Sequence, residues 1–326
     1  MIRLSLIASL LVLFLDSLAN SAERVRIAYS SISAAYIGIW VARDAGLFAR
    51  EGLEDQIIFI PSATQLAQVL VAGDVDIASL GGGPVMAASL SGADLKVIGN
   101  NVHKLIFSIH AKPEVKTLED LRGKRIAVSR FGSSADIAAR AALRKVNMDP
   151  AKDVNLMQLG TMANMFGALK SGGVEASVVS PPTQFLSEKM GFKEIFSITE
   201  MDLAYPNPSM AVSGDLIRKK PDLIDRFMRA YVRAMHRARA DKDGTIKTLA
   251  KYTTITDAEI LNRAYDFYMT KILERAPYIN MQGMQNALDD VARTVPAAKT
   301  AKPEQFVDLR FLERIEKSGL LKELYK

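Results

Sequence analysis

The chain reads as an α/β protein of doubly wound, mostly parallel sheets. Two observations predict this class. Short β-rich apolar runs alternate with amphipathic helical stretches from residue 25 to about residue 200. The strand ends are followed by Gly, Ser, Thr and Pro, the residues of tight strand-to-helix turns. A third observation bounds the size: 326 residues, 49% of them hydrophobic, suffice for a large core and about two domains.

In chain order, Val25 to Tyr29 is a strand, and Ala34 to Arg50 a helix with Ile37, Val41, Ala45 and Phe48 on one face. Gln56 to Ile60 is a strand, Gln65 to Ala72 a helix ending at Gly73, and Asp76 to Leu80 a strand running into Gly81, Gly82, Gly83 and Pro84. Pro84 suits the first turn of a helix through Leu90. Leu95 to Gly99 and Leu105 to His110 are further strands. A second unit follows Pro113, opening on a capping box between Thr117 and Asp120. Its strands are Arg125 to Ser129, Val154 to Leu159, Ala176 to Val179 and Glu194 to Ile198. Its helices are Ala135 to Val146, Asn164 to Lys170 and Gln184 to Met190. Ser209 to Ser213 is a return strand, and the tail is mainly helical. No internal repeat and no low-complexity tract stand out. Crossings near residues 110–114 and 204–209 make the middle unit an insertion, with residues 23–110 and 208–326 forming one lobe and 111–207 the other.

The first 22 residues have the pattern of a cleavable export signal. Arg3 precedes an apolar core from Leu4 to Leu15, and small residues offer cleavage after Ala19, Ser21 or Ala22. That core is too short to span a bilayer, which needs ~20 residues. The chain has no cysteine, which excludes disulfides, a thiolate metal site, a thiol nucleophile and tethering through a lipobox cysteine. A free exported protein is therefore expected in the periplasm. The formal net charge of +6 favours anionic partners by long-range steering. The basic residues are scattered and aromatics make up only 7%, so a nucleic-acid surface is not expected. Arg226, Arg229, Arg233 and Arg237 recur along one late helix and read as a solvated basic face. His103, His110 and His236 are far apart and show no metal-ligand spacing, so neither a metal site nor a cofactor is expected.

Four stretches together carry a resemblance: Tyr36 to Leu53 (YIGIWVARDAGLFAREGL), Leu70 to Ala78 (LVAGDVDIA), Thr117 to Val128 (TLEDLRGKRIAV) and Phe311 to Tyr325 (FLERIEKSGLLKELY). The chain resembles the periplasmic solute-binding proteins of ABC importers, in the group that takes nitrate, taurine, sulfonates and thiamine-pyrimidine precursors. The resemblance implies a two-lobed periplasmic binding protein fold of type II kind, with two mixed sheets joined by two crossovers and the ligand between the lobes. It implies a monomer that captures a small-molecule ligand and delivers it to an ABC permease and its ATPase. Sulfonate, nitrate, aromatic carboxylate and pyrimidine-like ligands remain open, with an organic ligand favoured over nitrate. A sensing subunit for a membrane signalling partner is an alternative. An enzyme on the same fold is disfavoured, because the related synthases carry a cysteine-rich motif.

Open α/β sheets bind ligands beyond the carboxyl ends of their strands, where helix N-termini suit an anion. That rule selects the candidate ligand-binding residues. Ser31, Ser33 and Tyr36 follow the first strand, and Ser62 and Thr64 the second. Gly82 and Gly83 lie in the glycine turn, which lacks the Lys-Ser/Thr of a phosphate loop. Arg130, Phe131, Ser133 and Ser134 open the second unit, Arg130 as a bidentate partner for an oxyanion and Phe131 as a cover for an organic group. Thr161, Ser180 and Tyr205 complete the set.

Overall fold

A computed structural model describes residues 22–326. The export signal read over residues 1–22 lies, but for Ala22, outside the described residues. The strands are β1 (Glu23–Tyr29), β2 (Leu53–Phe59), β3 (Ile77–Leu80), β4 (Leu95–Asn100), β5 (Ser108–Ala111), β6 (Arg125–Val128), β7 (Asn155–Gln158), β8 (Ala176–Val179), β9 (Lys193–Ser197) and β10 (Ser209–Ser213). They form two five-stranded sheets, ordered β2-β1-β3-β10-β4 and β7-β6-β8-β5-β9. The orders correspond strand for strand. In each sheet the first three strands are parallel, and the fourth runs antiparallel to both neighbours. That fourth strand, β10 or β5, lies beside a crossover between the sheets.

The helices are α1 (Ile37–Asp44), α2 (Leu47–Arg50), α3 (Ala63–Ala72), α4 (Gly82–Leu90), α5 (Ser134–Lys145), α6 (Met162–Lys170), α7 (Thr183–Lys189), α8 (Gly214–Lys219), α9 (Pro221–Ala240), α10 (Lys242–Thr253), α11 (Ala258–Phe267), α12 (Met281–Val291), α13 (Arg310–Lys317) and α14 (Leu320–Leu324). Two sequence expectations need correction. The helix read as continuous over residues 34–50 is a 3₁₀ turn followed by α1 and α2, because Gly46 takes φ +65° and breaks the ladder. The strand read at residues 105–110 begins only at Ser108 and pairs with β8 and β9, so it belongs to the second sheet and not to the first. The apolar run gave a strand but no sheet, because pairing partners are non-local.

The structure also contains a repeat that the sequence conceals. Arg26 of β1 grips Asp76 through Nε at 3.1 Å and Nη2 at 2.8 Å, and Nη2 also donates to the Gly73 carbonyl at 2.9 Å. Arg125 of β6 grips Glu175 through Nε at 3.1 Å and Nη2 at 2.7 Å, with the Gly172 carbonyl at 3.5 Å. Each arginine's own backbone N–H donates to the same carboxylate. Both pairs are separated by 50 residues in the chain. The fork ties the start of the middle strand to the turn that launches its neighbour, once in each lobe. Asp in one and Glu in the other hid the correspondence.

The core packs against both faces of each sheet. Trp40 of α1 is fully buried and stacks on Tyr252 of α10 at 4.9 Å. Helix α9 buries Phe227, Tyr231 and Met235 against α1 and α2. Its arginines are ion-paired: Arg226 with Glu23 and Asp222, Arg229 with Glu51, and Arg237 with Asp241. The basic stripe is therefore largely neutralised against β1, α2 and its own helix. Gly38 lets α9 approach α1, since a Cβ there would lie 2.7 Å from Met235 Sδ and 2.7 Å from the Tyr231 ring.

The packing and the fork make three outcomes testable. Gly38→Ala should lower stability by about 1–3 kcal/mol through overpacking. Gly167→Ala, on the exposed side of α6 with nothing near its Cβ position, should raise stability by about 1 kcal/mol through helix propensity. Denaturant melts of the two variants check the opposite signs. The Arg125 guanidinium holds the Glu175 carboxyl down at about 2, below its ordinary value of 4.5. A depressed folded-state pKa adds stability above the unfolded value that is lost as pH falls. The stability gap between wild type and Glu175→Gln should therefore close as pH drops from about 4.5 to about 2, read from urea melts across that range.

Candidate functional site

The carboxyl ends of β1 and β2 face those of β6, β7 and β8 across the gap between the sheets. A cavity of about 50 Å³ lies there. Ser30, Ser31 and Ser33 line it from the turn after β1, and Phe59 and Ser62 from the end of β2. Ser129, Ser133 and Ser134 line it after β6, Gly160 and Thr161 after β7, and Ser180 after β8. None of the lining residues carries a formal charge.

Helices α3, α5 and α6 begin at this cavity. Ser133 caps α5 by accepting from the Asp136 N–H, and Thr161 caps α6 by accepting from the Asn164 N–H at 3.1 Å. The remaining first-turn N–H groups have no partner within their helices, and the positive dipole ends point at the same space. Helix α3 has no side-chain cap. Its leading residue, Ser62, takes φ +78°, a conformation that favours glycine, and its buried Oγ has no hydrogen-bond partner. Strain and an orphaned hydroxyl in one residue mark it for a role other than stability.

Phenols form one wall. The Tyr36 hydroxyl is 2.8 Å from Ser30 Oγ, and the Tyr268 hydroxyl is 2.9 Å from Ser33 Oγ. Burial pushes the Tyr36 phenol up to about 12 and raises that of Tyr268, so both are neutral donors at physiological pH. Tyr29 backs them, with ring centroids 5.7 Å from Tyr36 and 5.4 Å from Phe59. The lobes touch around the cavity. Ser33 Oγ donates to the Pro181 carbonyl at 3.3 Å, and Thr64 Oγ1 to the Phe131 carbonyl at 3.2 Å. Beyond that second contact opens a larger groove of about 930 Å³, lined by Thr64, Gly83, Phe131 and the charged Asp136, Arg140, Arg144, Asp290 and Arg293.

Of the residues selected from sequence, Ser31, Ser33, Tyr36, Ser62, Ser133, Ser134, Thr161 and Ser180 come together around the cavity. Thr64, Gly83 and Phe131 face the outer groove instead. Gly82, Arg130 and Tyr205 line neither space. The glycines serve packing: a Cβ on Gly82 would meet Pro206 at 2.6 Å and one on Gly83 the Tyr205 hydroxyl at 2.5 Å. They let the returning crossover dock on α4, with the Gly82 N–H donating to the Pro206 carbonyl at 2.9 Å. Tyr205 is buried beneath that contact. Arg130 is exposed. Asp136, a carboxylate in the first turn of α5, turns away from the cavity toward the Gly132 N–H at 2.9 Å and Arg140 at 2.8 Å. Sequence reasoning missed Phe107 and Tyr268, which reach the cavity from a crossover and from the π-helical turn Tyr268–Ile272. Neither has a local signal, since neither follows a strand of the parallel set.

A family model described as NMT1/THI5 like matches residues 33–244. The chain is 23% identical over 218 residues to a protein of Brachyspira hyodysenteriae provisionally named an ABC transporter periplasmic binding protein, covering 62% of each chain. It is 26% identical over 195 residues to the taurine-binding periplasmic protein of Escherichia coli, covering 57% of this chain and 58% of that one. The chain thus spans less than two thirds of these relatives' own length. The alkanesulfonate-binding protein SsuA from Xanthomonas axonopodis pv. citri, solved with MOPS bound, superposes with a TM-score of 0.73 at 21% identity. That match covers 87% of this chain and 96% of that chain, and it shows that the two-lobed fold is the same.

The strain at Ser62 yields a prediction. Ser62→Gly should raise the stability of the ligand-free protein by about 1 kcal/mol, because glycine takes positive φ without steric cost. Thermal unfolding after ligand has been stripped by denaturation and refolding checks the sign.

Proposed function

The chain belongs to the NMT1/THI5-like family, and from that premise we propose that it is an exported substrate-binding protein of an ABC importer. It captures a small organic anion, a sulfonate foremost, and releases it to a permease served by an ATPase. It binds and does not transform its ligand. No helix among the described residues is long and apolar enough to cross a membrane.

The observation that carries this reading is a cavity between two lobes where three helix N-termini and a ring of hydroxyls converge with no charged side chain. Such a site offers many neutral donors to an oxyanion. A sulfonate has three acceptor oxygens and no donor, which matches a wall of N–H and O–H groups. The donors are divided between the lobes: Ser31, Ser62 and Tyr36 on one side, Thr161, Ser180 and the α5 start on the other. The anion is fully coordinated only when the lobes are closed, so binding energy is coupled to closure and opening weakens the hold. The volume of about 50 Å³ suits an acid head group. The outer groove, reached past the Thr64–Phe131 contact, has room for an organic body. The names of the taurine- and alkanesulfonate-binding relatives favour the same ligand class.

The test is thermal unfolding of the mature chain, from Glu23 onward, against alkyl and aryl sulfonates, taurine, aromatic carboxylates, pyrimidines and nitrate. A ligand at 100 times its Kd adds ~2.7 kcal/mol and a clear rise in Tm. Sulfonates should give that rise, and Ser62→Ala should weaken their binding about tenfold, as loss of one hydrogen bond to a charged group does. A rise with pyrimidines alone would replace the ligand class. No rise with any of them in stripped protein would overturn the proposal.

A further inference from the structure

A second cluster of ligating side chains lies away from the ligand cavity. His110 of β5, Glu188 of α7 and Glu194 of β9 place one donor atom each within 4.8 Å of one another. Their positions along the chain show no metal pattern; the fold creates the group. His110 and Glu194 are directly opposed partners of the antiparallel pair β5–β9, and α7 packs over that pair. His110 is wholly buried, and its Nδ1 is 3.0 Å from the buried Ser187 hydroxyl. Its Nε2 has no hydrogen-bond partner, with Glu194 Oε2 the facing carboxylate oxygen at 3.7 Å. A buried ring nitrogen left unsatisfied is destabilising unless something occupies the position it faces.

We propose that His110, Glu188 and Glu194 form a binding site for a divalent transition-metal ion, with Zn²⁺ the best-suited cation. One imidazole and two carboxylates, with water in a fourth position, make a four-coordinate set of the mixed nitrogen and oxygen kind that zinc takes, and the imidazole nitrogen favours zinc over magnesium or calcium. Two donors each ~2.1 Å from a shared tetrahedral ion lie about 3.4 Å apart, close to the Nε2-to-carboxylate separation here. The Ser187 hydroxyl at Nδ1 is the outer-shell partner that metal-bound histidines use to hold the ring and direct the other nitrogen. Glu188 Oε2 accepts from Arg263 at 2.7 Å and Glu194 Oε2 from Gln184 at 2.8 Å. Glu194 Oε2, the oxygen facing His110, has a further lone pair beside its Gln184 bond, and Glu188 keeps its second oxygen, so both carboxylates are oriented and still able to accept an ion. The Glu194 side chain is one-third exposed and provides the path of entry. The ion would fasten β5, β9 and the C-terminal half of α7, the helix whose leading turn brings Ser180 to the cavity.

The experiment titrates Zn²⁺ into chelator-treated mature protein by calorimetry, with Mg²⁺ as the control cation and Co²⁺ absorption as a report of coordination number. Wild type should take up one Zn²⁺, show tetrahedral Co²⁺ bands, rise in Tm on adding Zn²⁺ and ignore Mg²⁺. Glu188→Gln and Glu194→Gln keep size and hydrogen bonding, so they should fold normally yet each weaken Zn²⁺ binding by more than about tenfold. His110→Gln should abolish it, and the two surface variants carry the test if that buried change unfolds the chain. Absence of Zn²⁺ uptake by wild type, or uptake unaltered in both glutamine variants, overturns the site and leaves His110 and Glu194 as cross-strand neighbours.

Discussion

The arrangement of this protein depends on strand direction. In each lobe three strands run parallel, so each connecting helix starts at the same edge of its sheet. Those helix starts carry N–H groups that no intrahelical bond satisfies. Because both sheets repeat one strand order, with an antiparallel strand beside each crossover, the two edges face each other. A cavity walled by backbone donors is the geometric result. The Arg26–Asp76 and Arg125–Glu175 forks hold this arrangement at its opposite end, fastening the middle strand to the turn before its neighbour in both lobes.

The electrostatics of the site follow from that geometry. The cavity offers a proposed anion partial charges on helix termini and hydroxyls, and no formal cation. The charged groups nearby are paired among themselves: Asp136 with Arg140, and Asp290 with Arg144 at 3.3 Å. With no single strong ion pair, the hold on a ligand is the sum of many modest donors contributed from two bodies. Such a sum would fall sharply if the bodies separated, which suits the proposed capture and release. Ser62 shows the same economy locally. Its backbone takes a positive φ that favours glycine, and its buried hydroxyl has no partner.

Small residues near the cleft had two meanings that sequence did not separate. Ser30, Ser31 and Ser33 after β1, Ser62 after β2, Ser129, Ser133 and Ser134 after β6, Thr161 after β7 and Ser180 after β8 surround the cavity, because the parallel strands all end at that edge. The glycines after β3 occupy an equivalent place in the chain. Yet β3 is followed in space by the crossover carrying Tyr205 and Pro206, which covers that position. Arg130 lies outside the cavity for a related reason: it is exposed, and the helix start behind it, at Ser133 and Ser134, occupies the cavity edge.

Sequence alone determined the class of fold, most strand and helix positions, and the loops that hold the cavity, since these rest on local periodicity, turn chemistry and capping. The capping box at Thr117 and Asp120 formed as its residues dictate, with the two reciprocal bonds at 3.4 and 3.0 Å. Only the tertiary structure decided which sheet received Ser108–Ala111, that Tyr268 and Phe107 reach the cavity, and that His110 meets Glu188 and Glu194. It alone revealed the repeated arginine fork. Each of these is a contact between residues far apart in the chain, and such contacts are set by the packing of whole elements, which no local pattern encodes.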